Sequence, residues 1–279
     1  MALDQILLIS LKALEPYLDD MVIAGGWVPY LFAAHEQPSA EAVALKTRDL
    51  DVAVPRQEPE REKSIDQLLG EAGFTCEFRS LETPPVTTYV AMRAGHEIEI
   101  AFITNAKGPG QAVRSVQSGL TAQELRYVDL LLANKWFLPL DVLSDGELEG
   151  RVWLPTPAAF IFHKALVSRK RTDPLKREKD LHYIFYVLDG FRAWRAWVRA
   201  ELPRLAAASP TWFRRCLHDL ATTFETPASP GIAALLHQRP SRAYPGMDDD
   251  QFRQYAWSVM QGLLVMMREG RSSRALRQA

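Results

Sequence analysis

The sequence predicts an α+β protein, in which a small mixed β-sheet domain with flanking helices is followed by an all-helical domain. In the first half, short β-branched runs alternate with amphipathic segments, whereas only helical patterns follow Pro157. Clusters of helix breakers, such as "TPASPG" at 226–231, separate these helices. At 279 residues the chain also exceeds the usual size of one domain. We therefore predict two domains, over residues 1–155 and 156–279.

The composition is that of an ordinary globular protein, with 47% hydrophobic and 24% charged residues. Its two cysteines, Cys76 and Cys216, are too far apart in sequence to suggest a disulfide framework or a zinc site. The N-terminal segment lacks the basic start and cleavage site of a signal peptide, and no apolar run approaches the roughly 20 residues that cross a bilayer. We expect a cytoplasmic protein without a membrane partner.

The N-terminal elements follow from local spacing. Leucines at helical spacing predict a first helix, namely Leu7, Leu11 and Leu14. The strand "MVIAG" then ends in Gly25 and Gly26, and a helical pattern runs from Trp27 to about His35. The unpaired N–H groups at such a helix start carry partial positive charge, and glycines leave room for a phosphate. Taken alone, "AGGW" also fits an ordinary turn, because it matches neither common phosphate-binding motif.

Further strands are predicted along the first domain. "LDVAV" at 50–54 is β-rich and is followed by a helical stretch near 61–72. "FTCEF", "VTTYVAM" and "EIEIAFI" come next, with Ala94-Gly95 as a tight turn between the last two. Together these segments predict a small mixed sheet.

Two aspartates, Asp49 and Asp51, stand two residues apart at a strand start. Side chains alternate between the faces of a strand, so both carboxylates point the same way. Such a pair repels itself unless a cation lies between its members, and carboxylate oxygens suit Mg²⁺ or Mn²⁺. Two solvated aspartates would also fit the same pattern.

A second acidic pair, Glu97 and Glu99, also shares one face of a predicted strand. If this strand neighbours the strand of Asp49, a third carboxylate joins the site, as two-metal phosphoryl transfer requires. Of the two, Glu99 is preferred. The polar face of an edge strand is the alternative.

These motifs together resemble the nucleotidyltransferase superfamily with the polymerase-β-like fold. The order is a hydrophobic-Gly-Gly turn, here Ile23 to Gly26, then Asp49-Leu50-Asp51, and then a single later carboxylate. The chain looks most like the minimal bacterial branch that includes AbiEii-like toxins of toxin-antitoxin pairs. The second position of the first motif is Gly26 rather than serine, which the superfamily allows but which removes a hydroxyl that could hold phosphate.

The resemblance extends to roughly residues 20–190, through the basic segment "FHKALVSRKRTDPLKREKDLHYI". It implies that Lys164 and either Lys176 or Lys179 neutralise a triphosphate, with Asp180 orienting them. A solvated helix face with a Lys176–Asp180 ion pair fits equally. The aromatic-rich segment 183–197 could stack bases beside arginines, but its helical spacing is more typical of a core.

The resemblance implies a transferase that joins the nucleoside monophosphate of a nucleoside triphosphate to an acceptor and releases pyrophosphate. Mg²⁺ or Mn²⁺ would be held by Asp49, Asp51 and Glu99 or Glu97. The β- and γ-phosphates would be bound by backbone N–H groups of Gly25, Gly26 and Trp27 and by Lys164 and Lys176, and Thr47 would position the aspartates. RNA such as a tRNA end, a protein or a small molecule is the expected acceptor, and an antitoxin an expected partner. The alternative is a catalytically silent nucleotide-binding regulator.

Overall fold

The computed structural model describes residues 5–45, 47, 49–79, 87–93, 95–108 and 113–275. The chain divides into two compact units, one of residues 1–35 and 46–156 and the other of residues 36–45 and 157–279. The segment 36–45, which the predicted division assigns to the first domain, therefore belongs to the second unit. Its backbone is held there, because the N–H of Ser39 donates to the carbonyl of Gly190 at 2.8 Å.

A mixed sheet forms the centre of the first unit. Within the described residues its seven strands are β1 (Val22–Ala24), β2 (Asp49–Ala53), β3 (Thr75–Phe78), β4 (Thr87–Arg93), β5 (His96–Asn105), β6 (Val113–Gln117) and β7 (Leu120–Leu125). The order is β1-β2-β5-β4-β3, and β7 pairs with β5 and with β6. The β2–β5 and β5–β7 pairs are parallel and the remaining pairs antiparallel. β2 thus lies between β1 and the long strand β5.

Short helices and one hairpin complete this unit. They are α1 (Gln5–Leu14), α2 (Trp27–His35), α3 (Ile65–Glu71), α4 (Val128–Ala133), α5 (Leu140–Leu143), and the hairpin of β8 (Lys135–Pro139) with β9 (Arg151–Pro155). The first helix is confirmed, because its three leucines are fully buried. The helix predicted near 61–72 begins only at Ile65, because Ser64 and Gln67 form a reciprocal capping box.

The predicted sheet is confirmed, and the chain adds to it. β3, β4 and β5 coincide with the predicted strands, and β4 pairs with β5 as a hairpin. Of the predicted turn, Ala94 lies outside the described residues, and Gly95 has a left-handed φ of +77°. The hairpin of β6 and β7 was not predicted, because its strands carry polar residues without a strict alternation.

The second unit is helical, as predicted. Its helices are α6 (Pro157–Ser168), α7 (Pro174–Gly190), α8 (Arg195–Ala208), α9 (Pro210–Thr223), α10 (Pro230–His237) and α11 (Asp249–Ala275). Four of them begin at proline, whose missing N–H and fixed φ suit the first helical turn. The prediction that the aromatic segment 183–197 contributes to the core is confirmed, since Tyr183, Phe185 and Phe191 are at most 2% exposed. None of the described helices is long and apolar enough to cross a membrane.

Candidate active site

Two neighbouring strands bring the predicted carboxylates together. In the parallel pairing of β2 with β5, Asp49 lies directly opposite Glu99, and Asp51 lies opposite Ala101. Because alternate residues share a face, Asp49, Asp51 and Glu99 lie on the same side of the sheet. Glu97 shares that face but lies two residues before Glu99 on β5, beyond the first residue of β2. The register therefore favours Glu99 over Glu97 as the third carboxylate.

The glycine turn adjoins this face. β1 ends at Ala24, opposite Asp51 on β2, and the next residue, Gly25, has a φ of +65°. A Cβ atom added at Gly25 would stand 2.0 Å from Oδ2 of Asp51 and 2.9 Å from its Cγ. The Asp51 carboxylate therefore lies against the bare backbone of the turn. This contact explains why the chain places glycine before α2.

The helix start that would receive phosphates is α2. Its first residue, Trp27, is 3% exposed, and its indole packs edge-on to Tyr30 with ring centroids 5.2 Å apart. A phosphate contact from Trp27 would therefore come from its backbone N–H. Thr47, predicted to position the aspartates, is half-buried two residues before β2.

An arginine that the sequence did not predict lies at the acidic face, which is the face of the sheet that carries Asp49, Asp51, Glu97 and Glu99. Nη2 of Arg79, just after β3, donates to Oε1 of Glu99 at 2.8 Å and to Oε1 of Glu97 at 3.3 Å. Its Nε donates to the hydroxyl of Thr88 at 3.1 Å, and Thr88 is only 1% exposed. Arg79 thus holds both glutamates. Nothing in its sequence position indicates this role, because β4 lies between β3 and the site strand β5.

The basic residues predicted to bind phosphate lie in the second unit. Lys164 on α6 is 5% exposed, and its Nζ donates to Oδ1 of Asp180 at 2.8 Å. Nε of Arg171 donates to Oδ2 of the same carboxylate at 2.9 Å. Asp180 therefore binds Lys164, as predicted, while the alternative partner Lys176 is exposed in the first turn of α7. Lys179 lies 5.8 Å from the ring centroid of Tyr183.

A protein-family model described as "Nucleotidyltransferase" matches residues 7–197. The chain belongs to this nucleotidyltransferase family. The matched range includes the glycine turn, the paired strands with Asp49 and Glu99, and the helices with Lys164 and Asp180. Comparisons with curated proteins and with solved structures give no match. The predicted superfamily is thereby confirmed, and so is the predicted fold class.

Negative charge is concentrated at the acidic face of the nucleotidyltransferase. The pKa of Glu99 is raised above its ordinary value, chiefly by burial, then by a hydrogen bond with Glu97 and by the charges of Asp49 and Glu97. The guanidinium of Arg79 opposes this rise but does not cancel it. A further cation at this face would favour the charged form of Glu99.

The residues of this face suit a divalent ion by their chemistry. All candidate ligands are carboxylates, which Mg²⁺ and Mn²⁺ prefer, and the carboxylate of Asp51 lies against the bare backbone of Gly25. Within the described ranges, however, no three acidic, histidine or cysteine side chains already form a cluster that would hold an ion. Arg79 occupies an oxygen of Glu99 instead. Metal binding by Asp49, Asp51 and Glu99 therefore stays a prediction.

Proposed function

We propose that this nucleotidyltransferase moves a nucleoside monophosphate from a nucleoside triphosphate to an acceptor hydroxyl and releases pyrophosphate, in a Mg²⁺- or Mn²⁺-dependent reaction. The observation that supports this most directly is the strand register, which pairs Asp49 with Glu99 while Asp51 lies against Gly25. Three carboxylates beside a glycine turn at a helix start constitute the arrangement that such chemistry needs. The family match supports transfer in general.

Each residue of the site has a role in this proposal. Asp49, Asp51 and Glu99 would hold the divalent ion, which when bound polarises the α-phosphate and offsets the charge of pyrophosphate. The backbone N–H groups of Gly25, Gly26 and Trp27 would bind the β- and γ-phosphates. Glu99, whose pKa is raised, would take the proton of the acceptor hydroxyl. The new bond joins the acceptor oxygen to the α-phosphorus, and the bond from that phosphorus to the β-phosphate oxygen breaks.

The basic residues have less direct roles in the proposal. Lys164 would stabilise the charge of the leaving pyrophosphate, with Lys176 or Lys179 as an outer contact for phosphate. Because Lys164 is buried against Asp180, we assign Asp180 the role of positioning the lysine. An RNA such as a tRNA end, a protein or a small molecule is the proposed acceptor. An AbiEii-like toxin role with an antitoxin partner is a further proposal that rests on the resemblance alone.

One observation favours a second function. Arg79 already forms an ion pair with Glu99, the carboxylate that the transfer reaction needs as ligand and base. A chain in which this ion pair persists with nucleotide bound would be a catalytically silent nucleotide-binding regulator. The two functions differ in whether pyrophosphate is released.

The deciding experiment measures pyrophosphate release from each of the four ribonucleoside triphosphates with Mg²⁺, with and without total cellular RNA. The native protein is compared with Asp51→Asn, which keeps the size of the side chain against Gly25 while it removes the charge. Asp250→Asn, at an exposed residue in the first turn of α11, is the matched control. Release that requires Asp51 supports the transferase. Nucleotide binding without release, in every mixture, supports the silent regulator.

A further inference from the structure

A second candidate site lies inside the helical unit. A cavity of about 700 Å³ opens between α8 and α11. One wall carries three arginines from α8 and the turn before it, which are Arg192, Arg195 and Arg199. This size is within the range of ordinary ligand pockets. We call the cavity the arginine groove.

The three arginines form a row. They are spaced by three and four residues, so their side chains emerge from one face of the helical segment. Seven residues of helix cover about 10 Å, which is longer than a single phosphate group. The side chains of Arg192, Arg195 and Arg199 are 52%, 40% and 61% exposed. The row is therefore accessible, and it suits a chain that carries a negative charge at each repeat.

A buried carboxylate holds two of these arginines in place. Asp189, at the end of α7, is fully buried, and its Oδ1 accepts Nε of Arg192 at 3.2 Å and lies 3.5 Å from Nη2 of Arg195. Its Oδ2 accepts the hydroxyl of Tyr244 at 2.6 Å, and the hydroxyl of Tyr255 donates to Oδ1. A guanidinium has five N–H donors, and these bonds use only some of them. The arginines are thus oriented before any ligand arrives.

The positive charge of the three arginines is not fully neutralised by nearby carboxylates. One carboxylate, Asp189, faces Arg192 and Arg195. Arg199 has Glu269 at 3.6 Å, but both side chains are more than half exposed, so this pair contributes little. The groove therefore keeps a positive charge along its row.

The floor of the groove is apolar and open. Ala196 and Ala200 line it from α8, and Val259, Gly262 and Met266 line it from α11. A Cβ atom added at Gly262 would meet no atom within 4 Å. A flat base or a ribose would fit over such a floor, beside the cationic row.

We propose that the arginine groove binds single-stranded nucleic acid, with successive phosphates on the arginine row and a base or sugar on the apolar floor. The length of the row favours a phosphodiester strand over one compact anion, and arginine is suited to phosphate by its planar donor fork. The proposal concerns residues of the second unit only. It holds whether or not the first unit transfers nucleotides.

The test is fluorescence anisotropy with a short labelled single-stranded RNA, titrated with the full chain at several salt concentrations. Arg199→Ala is expected to weaken binding by roughly three- to tenfold and to flatten the slope of log K against log salt by about 0.7. Arg215→Ala, at an exposed arginine of α9 outside the groove, is the matched control and should bind as the native protein does.

A second variant blocks the floor without removing charge. Gly262→Leu places a side chain in open space and raises helix propensity, so the protein should be at least as stable as the native form. We expect it to weaken RNA binding by about tenfold while the salt slope stays the same. Gly70→Leu makes the same change at another helical glycine with open space, in α3, and should leave binding unchanged.

Several outcomes would overturn the proposal. Native-like RNA binding by both Arg199→Ala and Gly262→Leu would show that the strand binds elsewhere, and an acidic peptide that binds as tightly as RNA would show that the groove takes another class of polymer. A DNA strand of the same sequence distinguishes the two nucleic acids, since only RNA offers the 2′-hydroxyl. The titration contains no nucleoside triphosphate and measures RNA binding alone, whereas pyrophosphate release measures transfer, so a failed transferase and a failed groove give different results.

Discussion

Asp49 and Glu99 are direct partners in the parallel pairing of β2 and β5. A shift of the register by one residue would turn the side chain of Glu99 to the other face of the sheet, away from Asp49. The register therefore decides which acidic residue joins the site. Glu97 has the same parity but binds Arg79 at the longer distance of 3.3 Å, against 2.8 Å for Glu99. The two glutamates are therefore chemically alike and geometrically different.

This difference predicts unequal effects of the same substitution. Glu99→Gln should lower the rate of transfer by about 10²-fold or more, because it removes both a ligand and a base. Glu97→Gln should lower it by less than about tenfold, because Glu97 lies beyond the start of β2. Steady-state kcat for pyrophosphate release measures both. Equal losses in the two variants would contradict the assignment of Glu99.

The second prediction concerns Gly25. Gly25→Ala should abolish transfer and destabilise the protein by about 2 kcal/mol or more, because its Cβ would stand 2.0 Å from Oδ2 of Asp51 and its φ is +65°. Gly95→Ala is the matched control, since Gly95 also has a positive φ, of +77°, but its Cβ would meet no atom within 4 Å. The loss of stability in Gly95→Ala should come from backbone strain alone. Urea unfolding and kcat separate the two effects.

The third prediction concerns the pH dependence set by Arg79. The guanidinium lowers the pKa of Glu99, so Arg79→Met should raise that pKa further. If Glu99 acts as the base, its charged form is required, and the acidic limb of the kcat profile should move to higher pH. A profile that only falls in height, without a shift, would mean that Arg79 acts on structure and not on the proton transfer.

The fourth prediction concerns the buried ion pair of Lys164 and Asp180. Although burial opposes the charged form, Lys164 and Arg171 lower the pKa of Asp180 below its ordinary 3.8. This carboxylate therefore stabilises the fold above that value, and the contribution is lost as the pH falls through the lower folded pKa. Lys164→Met should cost about 3–5 kcal/mol at neutral pH, because it leaves a buried charge with one partner fewer.

Urea unfolding at neutral and acidic pH checks this. The difference between native protein and Lys164→Met should shrink as Asp180 becomes protonated. Arg199→Met, which removes an ion pair with Glu269 in which both side chains are more than half exposed, is the control and should cost less than about 1 kcal/mol. A variant with normal stability and reduced transfer would instead support Lys164 as a direct phosphate ligand.

Local patterns in the sequence were enough to predict the turn at Gly25 and the shared face of Asp49 and Asp51. Both depend on the period of a strand and on the conformational freedom of glycine. The choice between Glu97 and Glu99 depends on the register between strands far apart in sequence, and no local pattern contains it. The same is true of Arg79, which reaches the site from β3 across β4.

In the helical unit, the spacing of Arg192, Arg195 and Arg199 is visible in the sequence, but the helix that faces them is not. The groove exists because α11 packs beside α8 and leaves open space at Gly262, where an added Cβ would meet no atom within 4 Å. The segment 36–45 likewise packs with helices that follow more than 100 residues later. Such contacts depend on tertiary structure, which periodicity does not determine.

The last prediction concerns Glu58, which is 4% exposed and whose Oε2 has no hydrogen-bond partner among the described residues. Burial and the nearby charge of Asp20 raise the pKa of Glu58 to about 7. The folded state thus keeps a proton that the unfolded chain releases near pH 4.5. The free energy of unfolding should therefore fall as the pH rises from about 4.5 to about 7 and then level off.

Glu58→Gln keeps a donor for Asp20 and removes the titration. Above about pH 7 it should be more stable than the native protein by about 1–3 kcal/mol, and below about pH 4.5 the two should converge. Chemical unfolding at both pH values measures this, and a constant difference across the range would show that Glu58 does not titrate as its burial implies.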